Sequence, residues 1–134
     1  MKRRLLAILA YMLPAFILWQ LWHTVLFASH YKTLEVYRSN VLVPLSLAAL
    51  IVQGLIWSVI YEQFCLGETV GRGAIRFAAI AFPIAWSYQV LLVGARHPMT
   101  SNGGYLLLET SYLLMLFAVV SPLIASVYVK QPKV

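Results

Sequence analysis

Charge is scarce in this sequence. Asp, Glu, Lys and Arg supply 10% of its 134 residues, against about 25% in an ordinary soluble domain. Cysteine is scarcer still: Cys65 stands alone. That excludes an internal disulfide and a Cys-x-x-Cys redox pair, and with them four-helix quinone reductases of the vitamin K epoxide type. Long loops are missing too. The longest connection, about Glu62 to Arg76, cannot build a core of its own, so the chain reads as one compact domain over residues 1–134. There is no nucleophile elbow, no paired catalytic carboxylates and no phosphate loop. Gly71-Arg72-Gly73 is no nucleotide signature, because no strand precedes it and no Rossmann spacing follows. The Glu–Arg–Asn pattern of microsomal glutathione transferases is absent, as is the first-helix glutamate of small multidrug exporters. The expectation is a protein that is not an enzyme and needs no cofactor.

What the chain has instead is apolar sequence. Hydrophobic residues make up 62% of it. About two thirds of the chain falls into four long apolar stretches, Leu5–Ala28, Val41–Tyr61, Phe77–Ala95 and Tyr105–Val129. Each is roughly long enough to cross a hydrocarbon core of about 30 Å at 1.5 Å per residue. A soluble domain this small cannot hide so much apolar surface. The expected fold class is all-α, an integral membrane bundle of four transmembrane helices. The N-terminal Met1-Lys2-Arg3-Arg4 imitates a signal peptide, but the apolar run exceeds a signal's usual length and no clear small-x-small site follows it. Leu5–Ala28 is therefore expected to be an uncleaved first span.

The basic residues sit at the ends of the stretches. They form no patch with interleaved aromatics, so nucleic acid is not an expected partner despite the net charge of +6. Lys2, Arg3, Arg4, Arg72, Arg76, Lys130 and Lys133 share one side of a four-span topology, and Lys32, Arg38 and Arg96 the other. This bias predicts both termini in the cytoplasm, in a bacterial inner (plasma) membrane.

A faint internal echo runs through the chain at an offset of 67 residues: Trp19, Ala28 and His30 against Trp86, Ala95 and His97. The first and third spans run in the same direction, so a parallel duplication is one reading and aromatic belts alone are the other. Pro14 and Pro83 lie inside spans, where each removes a backbone hydrogen bond, while Pro44 lies near a span's start. The third span has small residues at Ala74, Ala78, Ala81 and Ala85, and the second has Gly54 and Ser58. This spacing allows close helix approach, although alanine is abundant in membrane helices anyway.

Polar groups inside lipid are costly and each needs a reason. Gln20 and His23 fall in the first span, Gln53 in the second, and Ser87, Tyr88 and Gln89 in the third. The fourth has Glu109, Thr110 and Tyr112. Helical spacing places Tyr105, Glu109 and Tyr112 on one face. In the expected topology His23, Gln89, Glu109, Arg96 and His97 lie at similar depth, and Tyr112 is one turn below. They are expected to form an outer-leaflet polar cluster. It is read either as a binding or proton-handling site or as a staple between helices. No His-x-x-x-His or Glu-x-x-His pair fixes ligands on one helix, so no metal site is expected.

The run Leu21-Trp22-His23-Thr24-Val25-Leu26-Phe27 followed by Tyr31, with Gln53-Gly54, Ser87-Tyr88 and Leu108-Glu109-Thr110-Ser111-Tyr112, resembles the domain-of-unknown-function group 1761. That group consists of small four-span bacterial proteins. The resemblance implies fold and membrane location, not an activity. It also picks out His23, Gln53, Tyr88, Glu109 and Tyr112.

Three functional expectations follow. The first is an accessory or structural subunit packing against itself or a larger membrane complex, with the lipid bilayer, other membrane-protein subunits or a homo-oligomer as partners. The second is a small oligomeric transporter or channel using the outer polar cluster. The third is a membrane enzyme acting on a lipid or quinone.

Overall fold

The computed structural model describes residues 2–37 and 40–129. Arg38, Lys130 and Lys133, which enter the charge argument above, lie outside the described residues. No strand occurs among the described residues. Four helical runs, Lys2–Leu26, Val43–Phe64, Val70–Arg96 and Asn102–Tyr128, are each long and apolar enough to cross a membrane. The shortest has 22 residues, which at 1.5 Å per residue is about 33 Å.

The first run is α1 (Lys2–Gln20), continued by a π-helical segment, Leu21–Leu26, and followed by the short α2 (Ala28–Leu34). The second run is α3 (Val43–Phe64). The third is α4 (Val70–Trp86), which passes through a second π-helical segment, Ser87–Leu91, into α5 (Leu92–Arg96). The last is α6 (Asn102–Tyr128). Pro14, Pro83 and also Pro122 lie inside helices, and Pro44 sits in the first turn of α3.

Helix edges depart from the apolar stretches where capping overrides hydropathy. Thr69 caps α4, its hydroxyl accepting from the Arg72 N–H at 3.4 Å. The third span therefore starts at Val70 rather than Phe77, and most of the expected Glu62–Arg76 loop is helix. Ser101 caps α6 in the same way, accepting from the Gly104 N–H at 3.1 Å. Glycine is required at 73 because a Cβ there would fall on the Tyr61 hydroxyl.

α6 is the central helix. In its most apolar window 44% of residues are buried, against 17–22% in the other three spans. α1 packs along α3 and α6, and α4 along α6, while α3 and α4 touch more sparsely. The close approaches use small residues. Ala74, Ala81 and Ala85 are buried on one face of α4 with Phe77, and Ala78 is half-buried beside them. A Cβ on Gly54 would stand 3.2 Å from the Ile8 Cα, so α1 and α3 nearly touch backbone to backbone there. Ser58, one turn on, is fully buried.

One end of the bundle gathers the start of α1, the end of α3 and the end of α6. The Arg4 guanidinium donates to the Glu62 carboxylate at 2.6–3.0 Å, and the Tyr128 hydroxyl donates to the same carboxylate at 3.1 Å. This terminal end is opposite the loop end, where α2 and the α5–α6 turn meet. There the Thr100 hydroxyl donates to the Thr33 carbonyl at 2.9 Å.

Candidate functional site: a buried imidazole–carboxyl pair beside a cleft

Two of the polar residues meet in the half of the bundle nearer the loop end. His23 Nε2 lies 2.8 Å from Glu109 Oε1. Both side chains are out of reach of solvent, at 3% and 0% exposure. The π-helical segment carries His23. Within it the Phe27 N–H donates to the Trp22 carbonyl, five residues back, at 3.0 Å, and such wide turns recur at functional sites. Glu109 comes from the buried face of α6, together with Tyr105 and Tyr112.

The second imidazole nitrogen fixes the proton count. His23 Nδ1 lies 3.1 Å from the Trp19 carbonyl. A carbonyl only accepts, so Nδ1 must carry a hydrogen and donate it. Nε2 and Oε1 then share one proton. It sits either on the carboxyl, which donates to a neutral imidazole, or on the imidazole, which donates to a carboxylate. Each form makes the same number of hydrogen bonds, so the network itself does not select between them.

Tyr37 completes the pair. The left-handed Glu35 (φ 56°) ends α2 and turns the chain back. The Tyr37 hydroxyl then donates to Glu109 Oε1 at 2.7 Å. As a residue Tyr37 is 42% exposed, but its hydroxyl end lies inside. Burial first, and the Glu109 carboxyl second, push the phenols of Tyr31 and Tyr37 above their ordinary range. Both therefore remain donors at any working pH. Glu109 Oε2 has no partner among the described residues.

Four aromatic rings surround the imidazole. Trp19 stacks on it at 5.2 Å, and Tyr31 lies tilted over it at 4.4 Å. Tyr37 and Tyr112 present T-shaped contacts at 5.5 and 4.8 Å. Tyr31 is itself held by the Trp22 Nε1–H at 3.1 Å.

The other residues of the expected cluster go elsewhere. Arg96 and His97 are exposed at the end of α5, and His97 Nδ1 turns back to the Val93 carbonyl at 3.3 Å. Neither is paired with Glu109, whose partner is the His23 imidazole. The Gln89 side chain points toward a different space, and its backbone carbonyl accepts from the Tyr105 hydroxyl at 2.8 Å. Tyr112 joins the pair as a ring, not as a donor. Tyr31 and Tyr37 were not placed in the expected cluster, although Tyr31 follows the run that carries the resemblance. Among the described residues no cluster of three His, Cys, Asp or Glu side chains has the makings of a metal site.

Next to the pair lies a cleft of about 770 Å³ between α1, α3, the second π-helical segment and α6. Tyr37 and Tyr112, which touch the pair, also line the cleft. So do Trp19 and Gln89. The cleft exists because α3 follows α1 closely but stays apart from the third span toward the loop end. The ring contacts between α3 and α4, Trp57–Phe77 and Tyr61–Phe77, all fall nearer the terminal end.

No protein-family model, curated protein or solved structure matches this chain.

Proposed function

We propose that this protein is a small membrane carrier. His23 and Glu109 hold one exchangeable proton beside a cleft that receives a cargo from the bilayer, with both termini in the cytoplasm and the cleft in the outer leaflet. The observation that carries this reading is the proton count. The Trp19 carbonyl commits Nδ1, so a single proton lies between Nε2 and Oε1, and two residues lining a large cleft contact the pair. A buried ionisable residue in a membrane helix is a functional group by default, and a neighbouring imidazole gives its proton somewhere to go.

The geometry favours this reading over an accessory subunit for a specific reason. The small-residue faces that would dock a partner helix are used within the bundle. Ala74, Ala81 and Ala85 are buried, and Gly54 abuts Ile8.

The test is pH-dependent infrared difference spectroscopy of the protein in lipid nanodiscs. Wild type is expected to show a protonated-carboxyl band that changes with pH and is lost in Glu109→Gln, together with an imidazole change lost in His23→Gln. A wild-type spectrum in which no band assigned to Glu109 responds to pH rejects the carrier.

A further inference from the structure

We infer that the cleft binds a neutral amphiphile whose head accepts hydrogen bonds, a carbonyl or ester oxygen on a hydrocarbon chain, and that it enters sideways from the leaflet. This names the cargo class of the carrier proposed above and rests on that reading.

Size comes first. About 770 Å³ lies within the usual range for sites that enclose a small organic molecule, roughly 300–1,000 Å³. Shape and access come next. The walls are largely apolar, and Phe16, Leu42 and Leu45, which line the cleft, are also exposed on the bundle's flank. These three lie in or beside membrane-spanning helices, so the mouth faces acyl chains and not water.

Charge decides the class. Among the described residues no charged side chain lines the cleft. An ion brought into it would leave water with no opposite charge among the described residues to meet it, a cost of several kcal/mol. A neutral head avoids that cost.

Hydrogen-bond accounting decides the polarity of the head. Several lining groups are already committed. The Tyr11 hydroxyl donates to Gln53 Oε1 at 2.6 Å, the Thr24 hydroxyl to the Gln20 carbonyl at 2.6 Å, and the Ser46 hydroxyl to the Leu42 carbonyl at 3.2 Å. The first of these uses the acceptor of Gln53 and leaves its NH₂ free to donate. Gln89, Tyr88 and Tyr112 line the same space, and their side chains have no partner among the described residues. With the Gln53 NH₂ they offer four groups able to donate, and the Gln89 amide oxygen and the phenol oxygens can also accept. A neutral head with ester or carbonyl oxygens meets these donors. Trp19 and Tyr37 supply flat walls for it.

The experiment follows thermal unfolding of the full chain in nanodiscs titrated with three amphiphiles that share one alkyl chain. They are monocaprin, which is a neutral ester, caprate, which is an anion, and decyltrimethylammonium, which is a cation. The expected result is a saturable rise in unfolding temperature with monocaprin alone. Gln53→Leu combined with Gln89→Leu is expected to weaken it at least tenfold, and Ala49→Trp, which fills the cleft, to abolish it. Far-UV circular dichroism and a cooperative unfolding transition serve as the check that each variant is folded. Caprate or the ammonium compound binding as well as monocaprin, monocaprin binding unaffected in a folded Ala49→Trp protein, or no saturable effect from any of the three would each overturn the inference. The two readings fail separately. An intact infrared response without monocaprin binding removes the cargo class and leaves the proton pair. Monocaprin binding without that response does the reverse.

Discussion

Replacing Glu109 by leucine and by glutamine separates the two things its carboxyl does. It accepts from Tyr37 at 2.7 Å and faces His23 Nε2 at 2.8 Å, with its side chain wholly buried. Leucine has a similar volume and neither function. It strands an imidazole nitrogen and a phenol hydroxyl in a dry interior, and breaking a buried pair this way costs about 3–5 kcal/mol. Glutamine places an NH₂ at the Oε1 position, where its two N–H groups can donate to a neutral imidazole and to the Tyr37 hydroxyl oxygen, while His23 retains its Nδ1–H bond to Trp19. Its loss is then on the scale of one interhelical hydrogen bond in a membrane, about 0.6 kcal/mol on average and at most about 1.7. The expected order is wild type, glutamine slightly below it, leucine far below. The cycle completes the argument. His23→Leu alone strands the carboxyl and should cost about as much as Glu109→Leu. The double leucine variant should be markedly more stable than the sum of the two losses predicts, because of the groups that meet there only the Tyr37 hydroxyl is left stranded. Reversible unfolding in mixed micelles, followed by tryptophan fluorescence, reads all five proteins. Glutamine and leucine variants of equal stability, or a double variant at the simple sum, would refute the network of shared hydrogen bonds.

Four further outcomes follow from other parts of the structure. Burial pushes the Cys65 thiol up, so it stays protonated at neutral pH and its labelling by maleimide should be slow, quickening only as pH rises; fast labelling at neutral pH would contradict its 1% exposure. Against that quiet background, Asn102→Cys in intact cells should label from outside while a cysteine placed at Val134 does not, and the reverse pattern would invert the proposed orientation. Ala81→Leu, at a fully buried position, should overpack the α4–α6 contact by about 1–3 kcal/mol, whereas the exposed Ala79 should accept leucine; equal effects would dissolve the packing face. Gly73→Ala drives a methyl into the Tyr61 hydroxyl, so it should destabilise wild type, and Tyr61→Phe should restore part of the loss; no rescue would place the strain elsewhere.

Hydropathy alone was enough to find four spans, because a helix in lipid must be apolar over a length set by the bilayer. The ends were harder. A capping threonine starts α4 at Val70, inside the stretch that sequence reading took as the longest connection. Depth arithmetic put His23 and Glu109 at one level, and they meet there. It also put Arg96 and His97 at that level, and they do not join them. Depth is one coordinate of three, and the rotation of a helix about its axis is the one that a π-helical segment changes. A period of 3.6 residues carried through Leu21–Leu26 or Ser87–Leu91 gives the wrong azimuth beyond it. Tyr37 was invisible for another reason: a left-handed turn at Glu35 folds a headgroup segment back over the bundle, and nothing in glutamate's preferences announces that conformation.

The 67-residue echo gains meaning from the cleft. At that offset Trp19, Ala28 and His30 fall on Trp86, Ala95 and His97, and the first and third spans each carry a proline followed by a π-helical segment. Thr33 and Thr100, related by the same offset, meet at the loop end. Carried through, the offset moves α1 onto α4 and α3 onto α6. The α1–α6 contact then corresponds to the α4–α3 contact. The first is closed, and it holds the imidazole and carboxyl. The second is sparse. At the matching positions His23 falls on Val90, which is buried, and Glu109 on Leu42, which lines the cleft. On the duplication reading, one of two like seams holds a polar pair and the other is open and apolar. A pair that only stapled helices would stabilise a seam without requiring its counterpart to stay open. An open counterpart carries a cost, since the van der Waals packing that joins helices in lipid is forgone there. That cost has a purpose if the open seam is where something binds, and the aromatic rings of Tyr37 and Tyr112, shared by both seams, are the physical link through which binding and the proton would act on each other.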